Sequence, residues 1–161
     1  AYLLEKYHIN FYLIGDGPEK LKIKNLALNL KNVFFDSSIP KKNMPKYLAN
    51  SDAIIITLLG LELFKYGVSP NKLYDAYAIG RPVITTIPGI VNDEVEYFGL
   101  GVTAPPENPQ ILAKKIKTLY LKPRVEREAM SISARKVAER FYSREKISEE
   151  YIKIIEKFIF K

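Results

Sequence analysis

Residues 67–86 read GVSPNKLYDAYAIGRPVITT, and two hydrophobic periods meet inside them. Over 70–79 the apolar positions recur at helical spacing: Leu73, Ala76, Tyr77 and Gly80 share one side, while Asn71, Asp75 and Ala78 share the other. Ser69 is placed to cap this helix, and Pro70 suits its first turn, where a missing N–H is no loss. The period then changes. RPVITT at 81–86 is a short β-branched run, the pattern of a strand covered on both faces. A ten-residue helix handing over to such a strand is half of a βαβ unit, which predicts a parallel sheet.

The same alternation extends in both directions. Upstream lie strand candidates at 11–14 (FYLI), 32–35 (NVFF) and 52–57 (DAIIIT). Between them come a helix marked by Ile23, Leu26, Ala27 and Leu30, with Pro18 at its mouth, and a shorter one at 40–50. Downstream, a short helix at 92–98 precedes a fifth strand at 100–104. Asn108-Pro109 supplies a cap and a first-turn proline for a helix at 110–121. Pro123 separates this from a helix at 124–141. Ser143 can cap the last helix, whose Ile147, Tyr151, Ile154, Ile155 and Phe158 form one stripe. The expected fold is α/β: one doubly wound, Rossmann-like parallel sheet in a single domain over 1–161, with 124–161 as a helical tail.

Composition narrows the chemistry. An apolar share of 47% in 161 residues supports one real core. With no Cys and a single His, His8, neither a thiolate site nor a zinc site of protein ligands can be assembled, so no metal is expected, and a reducing cytoplasm is the default setting. The longest apolar run, AIIITLL at 53–59, is far too short to cross a bilayer. Twenty-five Lys and Arg against 18 Asp and Glu give +7. Their even spread reads as a solvated surface rather than a nucleic-acid face. D-x-D, G-x-x-x-x-G-K-[ST] and G-x-S-x-G are all missing. Ala1 opens directly onto helical spacing (Leu3, Leu4, Tyr7) without a cap, which reads as the edge of a fragment.

Ligands of open parallel sheets bind beyond the C-terminal strand ends, which singles out four loops. Gly15-Asp16-Gly17-Pro18 lets backbone approach a ligand, though it lacks the third glycine of a dinucleotide fingerprint, and an ordinary tight turn explains it equally well. The loop 36–39 (DSSI) before Pro40 should lie beside it. The third loop carries most: the helix start at Ser69, Pro70, Asn71, Lys72 and Leu73 offers free N–H groups and a positive dipole end to a phosphate. Lys72 puts a cation where the dipole disfavours one, and Asp75, one turn on, can accept hydrogen bonds from vicinal ribose hydroxyls. The plain alternative is a solvated Lys72–Asp75 ion pair. Thr85, Thr86 and Gly89 close the fourth loop, where simple turn chemistry serves as well.

Taken in order, GDGP after the first strand, NVFF-x4-P, NKLYDAYAIGRPVITT with its glycine turn, and APPENP before a helix resemble the C-terminal domain of retaining glycosyltransferases of the GT-B fold, family 4. The variant S-P-N-K is similar to enzymes that build surface polysaccharides and O-antigens. The resemblance implies transfer of a hexose or N-acetyl amino sugar, with retention, from a nucleoside diphosphate sugar, UDP-linked in preference to GDP-linked, without metal or other cofactor. It places Gly15 at the nucleotide, the Ile39 backbone at the base, Ser69 to Leu73 at the diphosphate with Lys72 as its stabiliser, and Asp75 at the ribose, where the family has the second Glu of E-x7-E. It further implies a glycan or lipid-linked acceptor held by an upstream domain, a cytoplasmic setting at the inner face of a membrane, and no nucleic-acid partner.

Two departures qualify this. The first Glu of E-x7-E falls on Gly67, leaving Glu62 as the nearby substitute. The Arg and Lys that neutralise the leaving diphosphate in the family lie in a strand–helix unit upstream of this sequence, so the fragment is expected to bind donor without turnover. A same-fold nucleotide-sugar epimerase or phosphorylase-like enzyme would need a His or extra carboxylates in the cleft. A non-catalytic relative and a nucleic-acid module complete the alternatives.

Overall fold

The computed structural model describes residues 1–159, so the last two positions of the expected tail fall outside it. Five short strands alternate with helices: β1 (Phe11–Ile14), α1 (Lys20–Leu26), β2 (Val33–Asp36), α2 (Met44–Ala49), β3 (Ile54–Ile56), α3 (Asn71–Ala78), β4 (Val83–Thr85), α4 (Ile90–Tyr97), β5 (Gly101–Thr103) and α5 (Pro109–Leu121). Two long helices follow, α6 (Arg124–Phe141) and α7 (Arg144–Ile159). All pairings are parallel, as apolar strands joined through helices require. The fold is α/β, parallel and Rossmann-like, as the alternation implies.

The strands are hydrogen-bonded as two ladders rather than one. β1 pairs with β2, and β3, β4 and β5 pair in that order. The three-stranded ladder holds the principal core. Every β4 residue is buried, and Ile56, Leu73, Ala76, Tyr77, Val91, Val95, Leu100, Ala134 and Val137 pack together around it. Gly80 (φ +65°) ends α3 where a Cβ would stand 3.1 Å from the Ser131 carbonyl oxygen of α6, so the two helices can close on each other. On the opposite face Leu4, Ile84, Ile116 and Leu119 form a smaller cluster, which Phe11 and Ala53 also join.

The two-stranded half differs from expectation. α1 stops at Leu26, one turn short of Leu30, and buries none of its residues; Ile23 and Leu26 of the expected stripe are exposed. The α7 stripe is likewise uncovered, with Ile147, Tyr151, Ile154, Ile155 and Phe158 all in solvent. Ser143 does cap α7, its hydroxyl oxygen accepting from the Lys146 N–H at 3.2 Å. Asn108 caps α5 in the same way, accepting from the Ile111 N–H at 2.9 Å. No helix among the described residues is long and apolar enough to cross a membrane.

Candidate functional site

The loops at the C-terminal strand ends fall into two groups. After β1 and β2, Gly15 takes φ +137° and donates its N–H to the Asp36 carbonyl at 3.3 Å. Asp16 ties the two loops together. One carboxylate oxygen accepts from the Lys20 ammonium and the other from the Ser38 N–H, both at 2.6 Å. The hydrogen bond from Lys20, and after it the one from Ser38, holds the Asp16 carboxyl below its ordinary range. Lys20 also reaches the Asp36 carbonyl at 3.0 Å. Gly15 and Ile39 are thus held on adjoining loops, as expected. Asp16 itself was missed; a carboxylate four residues before Lys20, at the start of a helix, is the signal that marks it.

The second group is built after β3 and β4. Helix α3 starts one residue later than the cap pattern suggests. Pro70 occupies the cap position in an extended conformation, and Asn71 is the first helical residue. Ser69 therefore does not cap; its hydroxyl donates to the Tyr74 hydroxyl at 3.0 Å. The physical reason is the proline: its fixed φ suits either position, and its carbonyl already accepts the Leu73 N–H at 2.9 Å. Among the described residues the Asn71 and Lys72 N–H groups remain as unbonded donors of this end. Asn71, Lys72 and Asp75 are exposed on one side, whereas the Leu73 side chain is buried, leaving only its backbone to face a ligand. No ion pair joins Lys72 to Asp75 among the described residues.

α3 is braced from below. Tyr74, Tyr77 and Tyr142 cluster with ring centroids 4.6–6.5 Å apart, and the Tyr142 hydroxyl donates to Glu94 of α4. Burial first, then the charge of Glu94, pushes the Tyr77 hydroxyl far above its ordinary range. The loop in front of α3 is fixed at Gly89 (φ +74°), where a Cβ would overlap the Lys65 carbonyl, so the turn after β4 sits against the turn at Glu62–Lys65. Gly67 takes φ +142°, a region that disfavours any side chain. Glu62 is engaged with Lys65 at 3.0 Å. Thr85 turns inward and accepts from the Ile87 N–H at 3.1 Å. Thr86 instead helps line a cavity of about 230 Å³ with Thr57, Leu58, Glu107, Asn108 and Leu112. None of the eight sequence-selected residues lines that cavity, and no hydrogen bond joins the first loop group to the second among the described residues. The described residues also contain no group of three or more His, Cys, Asp or Glu arranged to hold a metal ion.

A parallel α/β sheet with a glycine turn after its first strand and an exposed helix start after its third defines a Rossmann-like class. The sequence model described as glycosyl transferases group 1 matches residues 1–122. The chain belongs to that family. Among solved structures, a glycosyltransferase from Rickettsia africae superposes with a TM-score of 0.79 at 18% identity, over 96% of this chain and 41% of that one. HepE from Anabaena, in complex with UDP-glucose, gives 0.72 at 21% identity over 92% and 41%. WaaG, a glycosyltransferase involved in lipopolysaccharide biosynthesis, gives 0.64 at 18% identity over 83% and 34%. The neighbours are GT-B glycosyltransferases, and the chain spans well under half of their length. A search of curated protein sequences returned no match.

Proposed function

We propose that this chain is the donor-binding half of a glycosyltransferase, holding a nucleoside diphosphate sugar at the loops after β1, β2 and β3. The observation that carries the reading is the start of α3, where free N–H groups, Lys72 and Asp75 are exposed together on a helix whose other side is locked into the core. The Asn71 and Lys72 amides and the Lys72 ammonium take the diphosphate, stabilising charge as the glycosidic bond breaks. Asp75 takes the ribose hydroxyls. Gly15 and the Ile39 backbone face the nucleoside. The complexes of HepE with UDP-glucose and with UDP favour a UDP-linked donor. The transferred group is a hexose or N-acetyl amino sugar, retained in configuration and delivered without metal to a glycan or lipid-linked acceptor on an upstream domain, at the cytoplasmic face of a membrane. On this reading residues 1–161 form one donor domain and are inactive alone. The conformation at Gly67 supports one refinement: a Glu there would be strained, so the sugar is read by other groups.

Calorimetric titration with UDP, GDP, CMP and a single-stranded oligonucleotide tests this. The nucleoside diphosphates should bind, and Asp75→Ala should weaken them by about 10- to 100-fold, the loss of charged hydrogen bonds. Oligonucleotide binding without nucleotide binding would overturn the proposal.

A further inference from the structure

The cavity of about 230 Å³ at the C-terminal ends of β3, β4 and β5 is lined quite differently from the start of α3. Its polar side chains are those of Thr57, Thr86, Glu107 and Asn108, its apolar ones include Leu58 and Leu112, and no Lys or Arg is among them. Thr86 is only 4% exposed, and among the described residues no side-chain hydrogen bond engages it, whereas the Thr85 hydroxyl beside it accepts from the Ile87 N–H. Asn108 is half engaged: its side-chain oxygen caps α5, which leaves the amide N–H groups. Glu107 has no ion pair among the described residues. It also takes φ +56°, a conformation that costs a Glu backbone energy and a Gly none. Gly60 lies against its carboxylate, since a Cβ there would stand 3.3 Å from the Glu107 Oε2.

The loop after β3 joins this cavity to the helix start. It begins at Thr57 in the cavity wall, passes Glu107 at Gly60, meets Gly89 at Lys65 and ends at Pro70, the cap of α3. A donor whose diphosphate lies on α3 therefore has the cavity at the other end of one loop. The volume falls below the roughly 300–1,000 Å³ of sites for drug-sized ligands, so it suits a single ring rather than a whole nucleotide sugar. A carboxylate with no cation beside it repels phosphate and accepts hydrogen bonds from hydroxyls. Leu58 and Leu112 offer apolar surface to the C–H face of a ring.

We propose that this cavity takes the transferred sugar and that Glu107 reads it. The carboxylate accepts from the ring hydroxyls, Thr86 and the Asn108 amide complete the set, and the charge of Glu107 turns away sugars that carry a carboxylate of their own. The inference rests on the donor reading and deepens it. The two positions where a sugar-reading carboxylate was expected do not supply one: Gly67 has no side chain, and Glu62 faces Lys65 at 3.0 Å.

Calorimetric titrations with UDP, UDP-glucose, UDP-N-acetylglucosamine and UDP-glucuronate test it on the unaltered chain, Glu107→Gln and Glu107→Gly. The unaltered chain should bind the tighter of the two neutral UDP-sugars about 10-fold better than UDP-glucuronate. Glu107→Gln should bring that ratio close to one while moving UDP affinity by less than about twofold. Glu107→Gly relieves the φ of +56° and so keeps the turn, and it should weaken the neutral UDP-sugars about 10-fold relative to UDP. A Gly variant that binds every ligand as the unaltered chain does would reduce Glu107 to a turn residue and overturn the inference. Equal losses for UDP and its sugars would overturn it too, since Glu107 would then act on the nucleotide or the fold. If UDP itself fails to bind the unaltered chain, the donor reading falls and this inference falls with it.

Discussion

The β3-β4-β5 ladder and the β1-β2 ladder are made of equally apolar strands, yet only the first is a core. Val83–Thr85 are buried throughout, covered by α3, α4 and α6 on one face and α5 on the other. Phe11–Ile14 leave Tyr12 and Leu13 exposed, and the adjoining α1 buries nothing. Tyr12 stacks on Phe34 at a centroid distance of 5.0 Å, the two-stranded half making what contact it can within itself. Two parallel strands and one helix offer too little covered surface for independent stability. The difference teaches that strand apolarity states which residues favour burial, whereas burial itself depends on which neighbours the fold sets against them.

The sharpest way to break the comparison is to add one methyl group to each half. At Gly101 a Cβ would overlap the backbone of Val83, and at Gly89 it would overlap the Lys65 carbonyl with φ at +74°. Gly101→Ala and Gly89→Ala should each destabilise the chain by about 3 kcal/mol or more in urea unfolding. Gly17, after β1, has nothing within 4 Å of its would-be Cβ, and Gly17→Ala should stay within about 0.5 kcal/mol. Comparable losses at all three would show that the two halves are equally packed.

Truncating an apolar side chain in each half asks the same question with smaller effects. Tyr77 is fully buried in the cluster with Tyr74 and Tyr142, and Tyr77→Ala should cost about 3–5 kcal/mol. Leu26 is 76% exposed, and Leu26→Ala should cost less than about 0.5 kcal/mol in this chain. A Leu26 effect near the Tyr77 value would mean that α1 packs in solution against something the two ladders do not provide.

These contrasts mark where the sequence was readable. β1 falls on FYLI, β4 inside RPVITT, and α5 begins at the Asn108-Pro109 signal, because periodicity and capping are local chemistry. The solvent face of α3, with Asn71 and Asp75 opposite Leu73, Ala76 and Tyr77, was legible for the same reason. The stripes of α1 and α7 were legible as apolar yet stand exposed, since a pattern states which face favours burial but not whether a neighbour is present. Ser69 misled because Pro70 can serve at either of two adjacent positions. The contact of Gly89 with Lys65 and the bridge from Asp16 to Ser38 span 24 and 22 residues. Such pairings are settled by topology, which no single-sequence window contains.

The smallest effect concerns the Asp16 brace of the two-stranded half. Asp16 is exposed, so its bonds to Lys20 and the Ser38 N–H act close to water and are screened by salt. Both favour the carboxylate, so the folded chain binds this proton less readily than the unfolded chain does. The contribution is therefore complete above the ordinary carboxylate range and is lost as pH falls through that range to the lowered folded value. Exchange at the Ser38 amide, followed from pH 7 downwards after correction for intrinsic rates, should accelerate through that window while amides of Val83–Thr85 do not respond. Asp16→Asn keeps an acceptor for Ser38 but removes the charge facing Lys20, and should abolish the pH step while leaving the three-stranded ladder unchanged. A pH step that survives in Asp16→Asn would assign the brace to another carboxylate. A matching step in β4 would show that the halves are coupled through the loops, and the contrast between them would then be one of degree.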